Sequence, residues 1–98
     1  MFYLNVRLTV RREEDIDAVR GALERMVPMV RQEPGCVRFE VYHSQDNPRL
    51  FFLVEHWRSR EDWVAHRELE AIQKIYLPEV LSRADREGHA CEAVGSIP

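Results

Sequence analysis

The chain has 98 residues, a formal net charge of −3, 45% apolar residues and 32% charged ones. That size suits a single domain (residues 1–98) with one core, small enough for a second subunit to add stability. The charge gives no electrostatic reason to expect nucleic acid or an anionic membrane. The longest apolar run is about five residues, far below the roughly 20 that span a bilayer. The opening MFYLNVRL lacks the basic lead and long apolar segment of a secretory signal, so a cytoplasmic protein is expected. Cys36 and Cys91 form no CxxC pair and read as small buried thiols in a reducing compartment.

Residues 2–10 predict the first strand. Phe2, Leu4, Val6, Leu8 and Val10 alternate with Tyr3, Asn5, Arg7 and Thr9, a period of two with one core face. The other face is polar and carries an aromatic ring, an amide and a guanidinium in a row. A solvated face is the plain reading of it.

Glu13 to about Gln32 predicts the first helix. Ile16, Val19, Leu23, Met26, Val27 and Val30 recur at spacings of three and four. Acidic residues 13–15 crowd its N-terminal turn, where the helix dipole favours them. Pro28 predicts a kink or an early end. Pro34 and Gly35 then turn the chain.

Cys36 to about His43 predicts a second strand, with Val37, Phe39 and Val41 on one face and Arg38, Glu40 and Tyr42 on the other. SQDNPR at residues 44–49 is rich in turn formers and predicts a hairpin into a third, antiparallel strand. That strand, from Leu50, is apolar without interruption to Val54 and is expected to be buried, or nearly so, on both faces. Phe51, Leu53, Glu55 and Trp57 point one way; Phe52, Val54 and His56 point the other. Ser59 caps the helix that follows, with Glu61 and Asp62 set against its dipole. The stretch from Leu50 to Glu68 therefore delivers Glu55, His56, Trp57 and His66 to one neighbourhood.

Trp63, Val64 and His66 are expected to face inward, followed by a stripe of Leu69, Ile72, Ile75, Tyr76, Val80 and Leu81. Pro78 predicts two short helical pieces over residues 69–84, stopped by Gly88. His89 to about Ser96, with Ile97 just beyond, predicts the last strand. The order is β-α-β-β-α-β, an α+β, ferredoxin-like arrangement with a four-stranded antiparallel sheet and helices on one face. The other sheet face would be bare in a monomer. A second copy covering it, in a symmetric homodimer, is the expectation.

EPGCVRFEVY at residues 33–42, RLFFLVEHW at 49–57 and SREDWVAHRE at 59–68, in that order and spacing, resemble the antibiotic biosynthesis monooxygenase domain family over almost the whole chain. The resemblance implies a dimeric α+β barrel that oxidises small electron-rich aromatics, such as quinols and anthrones, with molecular oxygen and no flavin, haem or metal. The family also holds haem-degrading members, a sugar-phosphate isomerase and proteins of no known activity. Trp57 matches its tryptophan at the end of strand 3, and Asn5 its strand-1 asparagine. Glu55 and His66 match the glutamate and histidine flanking the strand-loop-helix unit. The axial histidine of the haem-degrading branch would fall near Gln73, and no histidine lies between residues 67 and 88, so haem cleavage is not expected.

Cofactor-free oxygenation needs a phenol or quinol to lose a proton, so that the anion can pass an electron to oxygen. It also needs a pocket that excludes water and stabilises negative charge. Trp57 is a candidate stacking platform, Asn5 a donor to a substrate oxygen and His66 a base near neutral pH. Glu55 would orient His66 or carry a raised pKa if buried. Arg7, Arg38, Phe39 and Tyr76 are candidate substrate contacts. Structural readings stand beside these: Trp57 as core, and Glu55 as a buried partner of His66 or of an arginine. The histidines show no metal-ligand spacing, so no metal is expected. Two competing functions remain, an isomerase or proton-transfer enzyme using His66 and Glu55, and a non-catalytic small-molecule binder.

Overall fold

In the computed structural model, which describes residues 1–96, the alternating first stretch is strand β1 (Phe2–Val10). Leu4, Val6, Leu8 and Val10 are buried, while Asn5 and Arg7 are exposed. A 3-10 turn at Glu13–Asp15 leads into helix α1 (Ile16–Arg31). Val19, Ala22, Leu23, Met26 and Val30 form its buried stripe. The helix does not end early at Pro28 but runs through it to Arg31. Pro28 supplies no amide to the Glu24 carbonyl. Both residues are exposed, so water can take the place of that bond.

Gly35 turns the chain with φ at +82°, a conformation that side chains resist. A Cβ there would lie 2.3 Å from the Asp62 carboxylate. The absent side chain therefore lets the next helix sit against this corner, and Arg58 N donates to Gly35 O at 2.9 Å. Strand β2 (Cys36–His43) follows. Val37, expected on the inner face, is 52% exposed because the register shifts between Cys36 and Arg38. In the hairpin, Ser44 Oγ accepts from the amides of Asp46 and Asn47, and β3 (Leu50–Trp57) pairs antiparallel with β2.

Strand β3 is buried on one face only. Phe51, Leu53, Glu55 and Trp57 are buried, whereas Phe52 is exposed and Val54 and His56 are half-buried. Ser59 Oγ accepts from Asp62 N at 3.1 Å and caps α2 (Arg60–His66). This short helix turns a narrow face inward, so His66 is buried and Trp63 half-buried, but Val64 is 46% exposed. Helix α3 (Ala71–Val80) is one segment, not two pieces, and Pro78 lies inside it. Its winding is wide: Leu81 N donates to Tyr76 O, five positions back, at 2.9 Å. In this i→i+5 register the helix continues past the proline.

The last strand, β4 (Ala84–Cys91), lies earlier than expected and contains Gly88, which does not terminate the helical region. Residues 92–96 are not a strand, and Ile97 lies outside the described residues. The sheet order is β2-β3-β1-β4, all pairings antiparallel, in the ferredoxin-like β-α-β-β-α-β arrangement. Helices α1 and α3 pack together over one face of the sheet. The opposite face presents Tyr42, Phe52, Asn5 and Arg7 to solvent.

Candidate active site

A cavity of about 400 Å³ lies between the inner sheet face and helices α2 and α3. Leu4, Phe39 and Leu53 from the sheet and Trp63, Ile72 and Leu77 from the helices give it apolar walls. Glu55, His66, Tyr76 and Arg86 bring polar groups into the same space, with Arg60 and Arg67 also lining it. A few polar groups converging on an apolar hollow is the usual build of a small-molecule site.

His66 closes α2 and is 3% exposed. Its Nδ1 shares a short hydrogen bond with Oε1 of Glu33, in the turn after α1. Nε2 has no hydrogen-bond partner among the described residues. Burial pushes the imidazole down to about 4, so the ring is neutral at neutral pH. Burial, with the charge of Glu55 adding to it, pushes Glu33 up to about 7. An ionised Glu33 accepts from Nδ1–H and leaves the Nε2 lone pair free; a protonated Glu33 donates to Nδ1 and puts the ring proton on Nε2.

Glu55 is 4% exposed on β3 and accepts from Trp57 Nε1 at 3.1 Å. Burial pushes it up to about 7, with the Trp57 hydrogen bond and the charge of Arg86 opposing. Trp57 is fully buried, so it adds no surface to the cavity; its ring lies 4.5 Å from that of His66 and backs it. The two carboxylates thus divide the work. Glu33 holds the histidine, and Glu55 is held by the tryptophan.

Arg86 and Gly88 sit on β4 opposite Leu8 and Val6, so both belong to the inner face. A Cβ on Gly88 would lie 2.7 Å from the Arg86 guanidinium, so the bare glycine gives that group room along the strand. The Tyr76 hydroxyl is buried without a hydrogen-bond partner among the described residues. Burial pushes its pKa up to about 12 against the charge of Arg86. A substrate oxygen entering here meets an unused donor beside a cation.

Glu55, His66, Phe39 and Tyr76 are therefore brought together at the cavity, with Trp57 behind them. Asn5, Arg7 and Arg38 are not. Asn5 lies on the outer sheet face and donates to Cys91 Sγ at 3.4 Å. Arg7 is paired with Glu87 there, and Arg38 with Glu40. His56 is also on the outer face, edge-on to Tyr3. Gln73 is exposed and donates to Arg67 O. Glu33 and Arg86 are not among the sequence candidates: Glu33 meets His66 only in the fold, and Arg86 lies before the strand expected from His89. Among the described residues no three His, Cys, Asp or Glu side chains gather as a metal-ligating group.

The sequence profile of the family described as antibiotic biosynthesis monooxygenase matches residues 1–76. No curated protein sequence matches the chain. A crystal structure of an antibiotic biosynthesis monooxygenase is 24% identical, with 96% of this chain and 99% of that chain covered and a TM-score of 0.88. Protein SO0527 from Shewanella oneidensis is 26% identical over 92% of this chain and 90% of its own, with a TM-score of 0.76. SnoaB, a cofactor-independent oxygenase from Streptomyces nogalater, is 13% identical over 99% and 96%, with a TM-score of 0.83.

Proposed function

We propose that this chain, which belongs to the antibiotic biosynthesis monooxygenase family, oxidises a small electron-rich aromatic of the quinol or anthrone kind with molecular oxygen. What carries the reading is the buried Glu33–His66 pair at an apolar cavity that also holds Arg86 and an unpartnered tyrosine hydroxyl. SnoaB, of the same fold, is a cofactor-independent oxygenase, and the chemistry below needs no cofactor.

The substrate hydroxyl gives its proton to His66 Nε2, and the Glu33 carboxylate balances the imidazolium that forms. Arg86 and the Tyr76 hydroxyl stabilise the substrate oxyanion. The anion passes one electron to oxygen, and recombination forms a carbon–oxygen bond as a peroxide anion, which takes the proton back from His66 to become a hydroperoxide. Loss of water then leaves a carbonyl. One oxygen atom stays in the product and the other leaves as water, with all four electrons drawn from the substrate. The apolar walls limit proton leakage from these intermediates. Asn5, Arg7 and Arg38 have no part in this scheme, since the sheet separates them from the cavity.

The working unit in this reading is a homodimer closed through the open sheet face, where Phe52 is 37% and Tyr42 50% exposed. A monomeric mass at micromolar concentration removes that part of the reading. The reaction itself is tested with isotopically labelled oxygen and a panel of hydroquinones, naphthols and anthrones. Enzyme-dependent transfer of one labelled atom into the product carbonyl is expected; unlabelled product, or turnover that persists without oxygen, contradicts it.

A further inference from the structure

Most arginines of this chain are already engaged. They hold carboxylates, from Arg7 on Glu87 to Arg83 on Asp15, or main-chain carbonyls, as Arg31 holds Phe39 O and Arg49 holds Arg11 O. Among the described residues Arg31, Arg49, Arg58, Arg60, Arg67 and Arg86 have no carboxylate within ion-pairing distance, and the last four hold no main-chain carbonyl either. Arg60, Arg67 and Arg86 all line the cavity, and Arg58 does not. In a chain of net charge −3, three of the four arginines with neither a carboxylate nor a main-chain carbonyl partner thus meet at one hollow.

Two of these cations are pinned. The Arg60 guanidinium carbon lies 5.6 Å from the Phe2 ring centroid and 5.9 Å from that of Trp63; the Arg67 carbon lies 5.2 Å from Trp63. Trp63 is itself stacked on Phe2 at 5.2 Å. Stacking on an aromatic face restrains a guanidinium without using its N–H donors, so both forks remain available to an anion. Arg60 on α2 and Arg67 just after it are exposed, whereas His66, the proton acceptor, and Glu55 lie buried. Positive charge thus lies on the solvent-facing part of the cavity wall and the proton-transfer groups are buried.

We infer that the ligand of this cavity is an aromatic carboxylate, bound with its ring between the apolar walls and its carboxylate on Arg60 and Arg67. The inference rests on the proposed function for what becomes of the ring, but not for the binding preference itself.

The probes are 6-hydroxy-2-naphthoic acid and 2-naphthol, which share a ring and a hydroxyl and differ in the carboxylate. Binding is measured by titration calorimetry on the full chain. The acid should bind at least about tenfold more tightly at low salt, and that advantage should shrink as salt is raised. Arg60→Gln and Arg67→Gln should each reduce the affinity for the acid and leave that for naphthol unchanged. Arg58→Gln, which alters a free arginine outside the cavity, should leave both unchanged. Equal affinity for the two probes, no measurable binding of the acid, or equal weakening of both probes in the Arg60 and Arg67 variants overturns the inference. A preference for the acid without oxygen consumption would fail the monooxygenase reading alone.

Discussion

Glu33 and His66, separated by 33 positions in the sequence, meet in a buried hydrogen bond between Oε1 and Nδ1. A corner built on Gly35 brings them together, because it seats the start of α2 against the turn that follows α1. Glu33→Gln keeps a group able to accept from Nδ1 but removes the charge that balances an imidazolium. Turnover should fall on the order of tenfold or more, with the melting temperature nearly unchanged. Steady-state rates and a thermal melt on the same preparation check this, and an unaltered rate would remove Glu33 from the mechanism.

The rate should rise with pH through about 7, where Glu33 loses its proton. Below that value the protonated carboxyl donates to Nδ1, the ring proton sits on Nε2, and His66 has no lone pair for the substrate. Above it the tautomer is reversed. Because the charge of Glu55 helps to raise Glu33, Glu55→Gln should move the midpoint to lower pH. A pH–rate profile whose midpoint stays put in that variant contradicts the coupling.

Stability should respond to Glu55 in a defined sense. Its folded pKa, about 7, lies above the ordinary value of 4.5. The favourable contribution of the protonated form is therefore complete below about 4.5 and is lost as pH rises through about 7. In Glu55→Gln the amide oxygen can still accept from Trp57 Nε1, and nothing ionises. The stability of the variant relative to the parent should grow between pH 5 and pH 8, by up to about 3 kcal/mol. Urea melts at the two values measure it; a constant difference contradicts it.

Gly35→Ala should destabilise the fold by about 1–3 kcal/mol, from a positive φ combined with a collision at Asp62. That is a fall in melting temperature of several degrees. Adding Asp62→Ala removes the collision but not the backbone cost, so it should restore only part of the loss. Full restoration would mean that φ is not the limiting term.

Much of this fold could be read from periodicity. The alternation in β1, the apolar run that places β3, the Ser59 cap and the turn formers of the β2–β3 hairpin each act locally. Each element lies where its residues predict, although β3 is buried on one face and not on both. Strand β4 was misplaced because ADREGHAC has no period-two apolar pattern and pairs with β1 alone at the sheet edge. That error hid Arg86, which counts as an inner residue only once its register against Leu8 is known. Glu33 was hidden for a different reason, since nothing in a turn sequence announces a partner in a later helix. Asn5 carries the opposite lesson. The same alternation that identified β1, with Leu4 and Val6 inward, already set Asn5 on the outer face.

The most direct test is oxygen uptake by the protein and its His66→Gln variant on one anthrone at pH 8, with folding of both verified by circular dichroism. The parent should consume one oxygen molecule per carbonyl formed, and the variant should be slower by about a hundredfold or more. Equal rates in the two proteins, or no uptake by the parent across the quinol, naphthol and anthrone panel, would contradict the account.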